Sequence, residues 1–398
     1  MNREDFDMLK QEIVYFDNGA TTLKPRTVIN AINLYYNKYT ANAHRGDYKT
    51  SMMVDSLYEG TRKRVKEFIN AKESSEIVFT SGTTDSLNLI VNGYFRHKLK
   101  KGDEVLITVS EHASNILPWF VLQQELGIKV NYIELDDDYK VTIDNVKKAI
   151  TKKTKVISLA HVTNVVGDVR PIKEITKLAH DNGILMVVDA AQSIAHLKVD
   201  VVDLDIDFMA FSAHKLYGPT GTGVMYAKFA LLNEVRPVNY GGGMNAIFTK
   251  DGYVELREVP TRFEAGTPNI EGVIGMKAAI DYVSNIGMDK IGEYERKLKE
   301  YLLKRLEELD FIEIYNKKSE GSVVAFNIKN VFAQDTAVYL DKYNICVRAG
   351  NHCAKILNNA IKVNNTCRIV LSFYNTKEEV DLLINVLKNS KNIWNEIL

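Results

Sequence analysis

The chain has only three cysteines in 398 residues, at Cys346, Cys353 and Cys367. Three thiols cannot build a disulfide framework, which excludes the small secreted scaffolds and leads us to expect a reducing cytoplasm, with at least one thiol free. They also lack the close C-x2–4-C spacing of a structural zinc site: Cys346 and Cys353 are seven apart, and Cys367 is fourteen further on. No apolar run approaches the ~20 residues that cross a bilayer. The opening Met1-Asn2-Arg3-Glu4-Asp5-Phe6-Asp7 is acidic and lacks the apolar core of a signal peptide. Net charge is absent too. The 51 Lys+Arg balance 51 Asp+Glu, so we expect no bulk attraction to nucleic acid or to a membrane. There is no G-x-x-x-x-G-K-S/T phosphate loop, no calcium-loop spacing around Asp136-Asp137-Asp138, no internal repeat and no low-complexity tract.

What is present reads as a soluble globular protein, 45% hydrophobic and 26% charged, long enough for one large and one smaller domain. From about residue 76 to 228, apolar strand-like runs alternate with helical periodicity. This predicts an α/β sheet, mostly parallel and covered on both faces. Helices are expected at 25–39, 52–70, 114–126, 142–150 and 171–181, the second turning Met53, Leu57, Val65, Phe68 and Ile69 to the core. Tyr240-Gly241-Gly242-Gly243-Met244 reads as a flexible loop. Long helices follow near 269–286 and 289–309. Short strands at 322–328, 345–348 and 368–373 then alternate with helices 334–342 and 377–389, a second, α+β domain.

Ligands of parallel sheets bind at the carboxyl ends of the strands. His112, Asn164, Asp189 and Lys215 all fall at such predicted ends. Asp189 closes the apolar run 184–189, and Lys215 follows the strand 208–211 by a few residues. Pyridoxal phosphate chemistry needs a lysine to carry the cofactor and an acid to keep its ring nitrogen protonated, and this pair supplies both. Read alone, the lysine also suits a solvated loop and the aspartate a helix cap. Ser81-Gly82-Thr83-Thr84 turns a strand into a helix, which makes either an anion site or a simple N-cap. Asn42-Ala43-His44-Arg45-Gly46 is a polar loop with two candidate anion or substrate contacts. Cys353, beside His352 and Lys355 and near Arg348, lies in a positive neighbourhood that favours a nucleophilic thiolate, although an inert thiol fits as well. Cys346 reads as packing, and Cys367 is ambiguous.

Taken together, Ser212-Ala213-His214-Lys215-Leu216-Tyr217-Gly218-Pro219-Thr220-Gly221, His161-Val162-Thr163-Asn164, Asp189-Ala190-Ala191-Gln192-Ser193 and Arg348-Ala349-Gly350-Asn351-His352-Cys353-Ala354 resemble the class V aminotransferases, and within them the group II (SufS-type) cysteine desulfurases. The resemblance runs from about Tyr15 to Asn375. It implies fold type I of the pyridoxal 5'-phosphate (PLP) enzymes: a large domain (14–280) with a mostly parallel seven-stranded sheet, and a smaller α+β C-terminal domain (281–398) on which 1–13 packs. It also implies a homodimer that converts L-cysteine to L-alanine and a persulfide on Cys353, and that hands sulfur to a SufU- or SufE-type acceptor for iron-sulfur cluster assembly. By the same resemblance, Lys215 carries the cofactor, Asp189 holds its ring nitrogen, Gln192 its phenolic oxygen, and His112 stacks on the ring. Thr83, Thr84, Ser212 and His214 hold the phosphate, joined by Thr267 of the other subunit. Arg368, Asn164, His44 and Arg348 face the substrate. Alternatives on the same scaffold are a selenocysteine lyase, an ordinary aminotransferase or a non-catalytic sulfur-assembly scaffold. This chain departs from the family pattern where Gly19 replaces the usual Ala, Tyr48 His, Ala213 Gly, Asn351 His, and Ile369-Val370 Ala-Ser.

Overall fold

The structure, a computed structural model, describes residues 2–44 and 46–390. Arg45, half of the expected contact pair in the 42–46 loop, and 391–398, the expected end of the second domain, lie outside the described residues.

The first strands are β1 (Val14–Tyr15), β2 (Ile77–Thr80), β3 (Glu104–Ile107), β4 (Lys129–Tyr132), β5 (Thr154–Ala160), β6 (Leu185–Asp189), β7 (Phe208–Ser212) and β8 (Gly223–Ala227). Among the described residues, all but β1 form one seven-stranded sheet in the order β2-β8-β7-β6-β5-β3-β4. The pairs from β7 through β4 are parallel, and β8 runs against both of its neighbours. Strands buried on both faces must be apolar at every position, which is why β6 and β7 read as continuous runs. Their alternation sorts them between two cores. Met186, Val188, Met209 and Phe211 join one cluster; Val187, Phe208 and Ala210 join the other. Each of the fully buried Val, Met and Phe side chains contributes about 1.5–3 kcal/mol. Helices Leu117–Leu126, Ile143–Ala149 and Ile172–Asp181 connect the parallel strands. Among the described residues, no helix is long and apolar enough to cross a membrane.

After β8 comes a hairpin that the sequence did not announce, β9 (Asn245–Phe248) against β10 (Val254–Leu256). Beyond it, β11 (Ile312–Ile314), β12 (Val323–Ile328), β13 (Ile345–Cys346), β14 (Arg348–Gly350) and β15 (Thr366–Val370) complete the strands. An antiparallel sheet runs β11-β12-β15-β14, with a third core in which Phe326 of β12 joins Leu302, Leu340 and Leu383 of the adjoining helices. The single strand expected over 345–348 is two: β13 pairs parallel with β1, and β14 with β15. The strand expected at 368–373 lies at Thr366–Val370 and holds Cys367 fully buried. Met53 does not face the core. It is 41% exposed, and Val54 and Tyr58, one position on along the Lys49–Phe68 helix, take that place.

The N-terminal chain crosses between the two sheets. Asp17 bridges to Val370, and buried Phe6 packs on Tyr217 and Tyr282 as well as on Phe373 and Tyr374. The carboxyl ends of β5, β6 and β7 therefore open toward β14 and β15.

Candidate active site

A cavity of about 230 Å3 lies between those strand ends and β14–β15. Its inner end is built by neighbouring strands. Asp189 ends β6 in register with Ala210 of β7, and Lys215 follows Ser212 after one turn. Asp189 is buried, and its Oδ1 accepts from the Ala191 N–H at 2.9 Å. Burial pushes its carboxyl up to about 6, against that hydrogen bond and the nearby Lys215 charge. Burial likewise pushes the Lys215 ammonium down to about 8, with Asp189 opposing. The carboxylate pays a desolvation cost that a protonated ring nitrogen would offset, and the lysine is an amine easily freed of its proton.

At the other end, the Ser81–Gly82 turn leads into the Thr83–Ile90 helix. A Cβ on Gly223 would stand 2.4 Å from the Gly82 Cα, so β8 needs glycine there to let this turn approach. The Thr83 N–H and Oγ1 both meet Ser212 Oγ at 2.7 Å, and Thr84 Oγ1 meets Ser114 Oγ at 2.7 Å. Hydroxyls gathered at a helix N-terminus suit a phosphate. His214 joins them, its imidazole pushed down to about 4 by burial and then by Lys215 and Lys24. His112 Nδ1 accepts from the Ser114 N–H at 3.1 Å, which puts the ring proton on Nε2; burial and Lys215 push this ring down to about 4, so it is neutral. Gln192 Nε2 donates to the Gly19 carbonyl at 3.0 Å beside the same cavity. A buried acid, an amine with a loosened proton, a neutral ring and a phosphate cradle, all lining one cavity, fit PLP.

The second sheet supplies the remaining wall. Arg368 of β15 is 3% exposed; its Nη1 donates to the Asn164 carbonyl at 3.0 Å and its Nη2 lies 3.3 Å from Asp17 Oδ1. Burial pushes its guanidinium down to about 10. Asn164 Nδ2 donates to the His352 carbonyl at 2.7 Å, so this side chain holds the loop of Cys353. The Ala113 N–H donates to the Cys353 carbonyl at 2.9 Å, and the Cys353 N–H to Asn351 Oδ1 at 3.1 Å. These bonds hold His352 and Cys353 in left-handed backbone, φ 51° and 57°, a conformation that costs order 1–3 kcal/mol per residue. The exposed Cys353 thus lines the cavity alongside Lys215 and Arg368.

Two expected residues are not brought into this cavity by their own chain. His44 is 3.2 Å from Glu59 and lines a separate polar cavity with Tyr58, Arg62 and Gly266. Thr267 is exposed and its Oγ1 accepts from Asn42 Nδ2 at 3.3 Å. The two loops adjoin each other on one face. Sequence reasoning also missed residues that set the site from behind. Asp17 holds Arg368, Ser114 holds His112, and Lys24 donates to the His214 carbonyl at 2.9 Å. Beneath them Arg170 and Glu111, both with fully buried side chains, form an ion pair. A lone lysine before Pro25 and an arginine before Pro171 were the only sequence signals.

The departures at positions 19 and 370 explain each other. A Cβ on Gly19 would stand 2.6 Å from Val370 Cγ2 and 3.0 Å from Arg368 Cζ. With valine at 370, only glycine fits at 19.

The chain is similar to known proteins over nearly its whole length. The aminotransferase class-V family matches residues 14–383. A probable cysteine desulfurase of Halalkalibacterium halodurans is 42% identical over 398 residues, 98% of each chain. The cysteine desulfurase of Escherichia coli K12 is 40% identical over 391 residues, 97% of this chain and 96% of that one. Among solved structures, an apo cysteine desulfurase of Thermococcus onnurineus is 41% identical with a TM-score of 0.93, covering 97% of this chain and 96% of its own. CsdA of Escherichia coli, in an S-sulfonic acid form, is 34% identical with a TM-score of 0.92 over 100% and 98%. With the family matching residues 14–383 and relatives at least 40% identical over nearly the whole length, the chain belongs to the class-V aminotransferase family.

Proposed function

We propose that the chain is a PLP-dependent cysteine desulfurase of the group II, SufS type, which moves the sulfur of L-cysteine onto Cys353 and releases L-alanine. One observation carries this: a free, exposed thiol, Cys353, lines the same cavity as the Asp189–Lys215 pair. An ordinary aminotransferase has no use for that thiol. Lys215 would carry the cofactor, Asp189 hold its ring nitrogen, Gln192 its phenolic oxygen, His112 stack on it, and Thr83, Thr84, Ser212 and His214 hold its phosphate. Bound there, PLP supplies a sink for the electrons of the substrate carbon. Arg368 holds the substrate carboxylate, with Arg348 and Asn164 beside it. Lys215 Nζ, whose proton burial loosens, moves protons at the substrate carbon. The Cys353 thiolate attacks the substrate sulfur. An S–S bond forms as the C–S bond breaks, the C–S electrons stay with the carbon skeleton, and a proton delivered there yields alanine.

The Cys353→Ser holoenzyme is expected to keep its cofactor absorbance and to lose sulfide and alanine production from L-cysteine by two orders of magnitude or more. A variant that still desulfurates at a wild-type rate would refute the role of Cys353.

The family resemblance supports a cytoplasmic homodimer that supplies sulfur for iron-sulfur clusters through a SufU- or SufE-type acceptor, with domains dividing near 14–280 and 281–398. All three cysteines are free, which agrees with a reducing compartment. His44 and Thr267 lie outside the cavity of their own chain, and we assign both to the site of the partner protomer. Mixing Thr267→Ala with Lys215→Ala protomers tests this. A shared site gives mixed dimers with one intact site and about half of wild-type activity per dimer. No recovery on mixing would place Thr267 in its own chain's site.

A further inference from the structure

We propose that Arg62 is a positioning residue for the site of the partner protomer: its one guanidinium holds both the loop of His44 and the loop of Thr267. This rests on the assignment of His44 and Thr267 to that site given above.

The Lys49–Phe68 helix presents Asp55, Tyr58, Glu59 and Arg62 at spacings of three and four, hence on one face. Two irregular loops rest on that face. The first carries His44 in left-handed backbone, φ 58°, a conformation that neighbouring groups must hold in place. Asp55 Oδ1 accepts from the His44 N–H. The His44 ring stands edge-on to Tyr58, centroids 5.7 Å apart, and its Nε2 meets Glu59 Oε1 at 3.2 Å. That hydrogen bond pushes the imidazole up, against the cost of burial. The second loop carries Thr267 and is anchored by Glu264, whose Oε2 accepts from the Tyr58 hydroxyl at 3.1 Å.

Arg62, 3% exposed, is where the two anchors meet. Its Nε donates to Glu59 at 2.9 Å, and its Nη1 and Nη2 donate to the two oxygens of Glu264 at 2.7 and 2.9 Å. Nη1 also donates to the Ile77 carbonyl at 2.8 Å, and Glu264 Oε1 accepts from the Phe79 N–H at 2.8 Å. The guanidinium carbon lies 4.5 Å from the Phe79 ring centroid. Both loops are thereby fixed to β2, a strand of the buried sheet. Only a planar fork can serve two carboxylates and a carbonyl at once, and a lysine ammonium has no such fork. Neither Arg62 nor Glu59 nor Glu264 lines the cavity that holds Lys215 of their own chain. Arg62 therefore acts through His44 and Thr267 and touches neither cofactor nor substrate.

Arg62→Lys keeps the charge and loses the fork. Co-expressing it with Lys215→Ala under two affinity tags yields purified mixed dimers. In these, the chain that keeps Lys215 faces loops held by an intact Arg62. The PLP-loaded Arg62→Lys homodimer is expected to release its cofactor about tenfold faster than wild type. The mixed dimer is expected to release its covalently held cofactor at the wild-type rate and to show about half of wild-type activity. Fast release from the mixed dimer would mean that Arg62 supports its own chain's phosphate cradle through β2, or the fold at large, and would overturn the proposal. A homodimer that releases PLP as slowly as wild type would overturn it as well. Glu59, half-exposed, gives a second variant that leaves Glu264 paired. Glu59→Gln is expected to raise the KM for L-cysteine about tenfold with PLP release unchanged, and an unchanged KM would refute the His44 half of the proposal. The Thr267→Ala and Lys215→Ala mixture serves as the reference. Recovery there but not with Arg62→Lys sinks this proposal alone. Recovery in neither sinks it together with the partner-site assignment on which it rests.

Discussion

Lys215→Ala protein, purified and supplied with PLP, is expected to show no covalently held cofactor and to lose alanine formation by about 10^2–10^4-fold or more. The visible absorbance of the wild-type holoenzyme, retained after gel filtration, is the direct readout. The size of the effect follows from the geometry. Among the described residues no other lysine lines the cavity, so none can substitute. Burial is what makes Lys215 reactive: it pushes the ammonium down to about 8, so the neutral amine grows in as pH rises through that value. Loading of the apo wild type should therefore quicken with pH across the same range. The variant also leaves Asp189 buried without its nearest cation, which makes its ionised form harder to hold. A Lys215→Ala protein that kept the absorbance band would show that another group carries the cofactor.

Arg170→Met is expected to destabilise the protein by about 3–5 kcal/mol, the cost of leaving a buried carboxylate without its partner. Arg170 donates to Glu111, to the Ala160 carbonyl at 3.2 Å, and to Thr108 and Ser110 hydroxyls at 2.8 Å. Glu111 Oε2 in turn accepts from the Ala160 N–H at 2.7 Å and from Asn115 at 2.8 Å. The pair therefore ties the end of β3 to the end of β5, directly behind His112 and the segment bearing Asn164. Removing the arginine strands Glu111 and takes a donor from three further acceptors. Urea unfolding is the check. The double variant Arg170→Met/Glu111→Leu should recover part of the loss, since it removes the stranded charge with its partner. A single-variant loss below about 1 kcal/mol would show that water reaches the carboxylate and that the network is not structurally tight.

The legible parts of the chain were those where one residue type carries its own signal. Continuous apolar runs marked β6 and β7 because both faces are buried, and the polar residue that ends each run marked the cavity. The same logic placed Asn164 and His112. What could not be read was pairing at long range. Nothing local in the sequence says that the Ala113 N–H meets the Cys353 carbonyl, or that Asp17 reaches Arg368 across the whole chain. Nor does it say that Thr267 and His44 share a face away from the cavity of their own chain. The β9–β10 hairpin was hidden because its side chains are largely exposed, Phe248 at 72%, so no burial pattern shapes its sequence. Met53 misled for the opposite reason: it is apolar but lies one position off the buried stripe of its helix.

The contact between positions 19 and 370 couples a change at one position to the residue at the other. Valine at 370 tolerates glycine at 19 and not alanine, so a substitution to valine there needs the glycine in place first. The reverse order passes through a chain whose methyl group would stand 2.6 Å from Val370 and press on the arginine that is to hold the substrate. The glycine step opens space and loses only a methyl. The valine step then fills it. Once taken, the path closes behind itself, because alanine can no longer return while Val370 remains. Replacing Gly19 by alanine would for that reason do harm in this protein while Val370 is present.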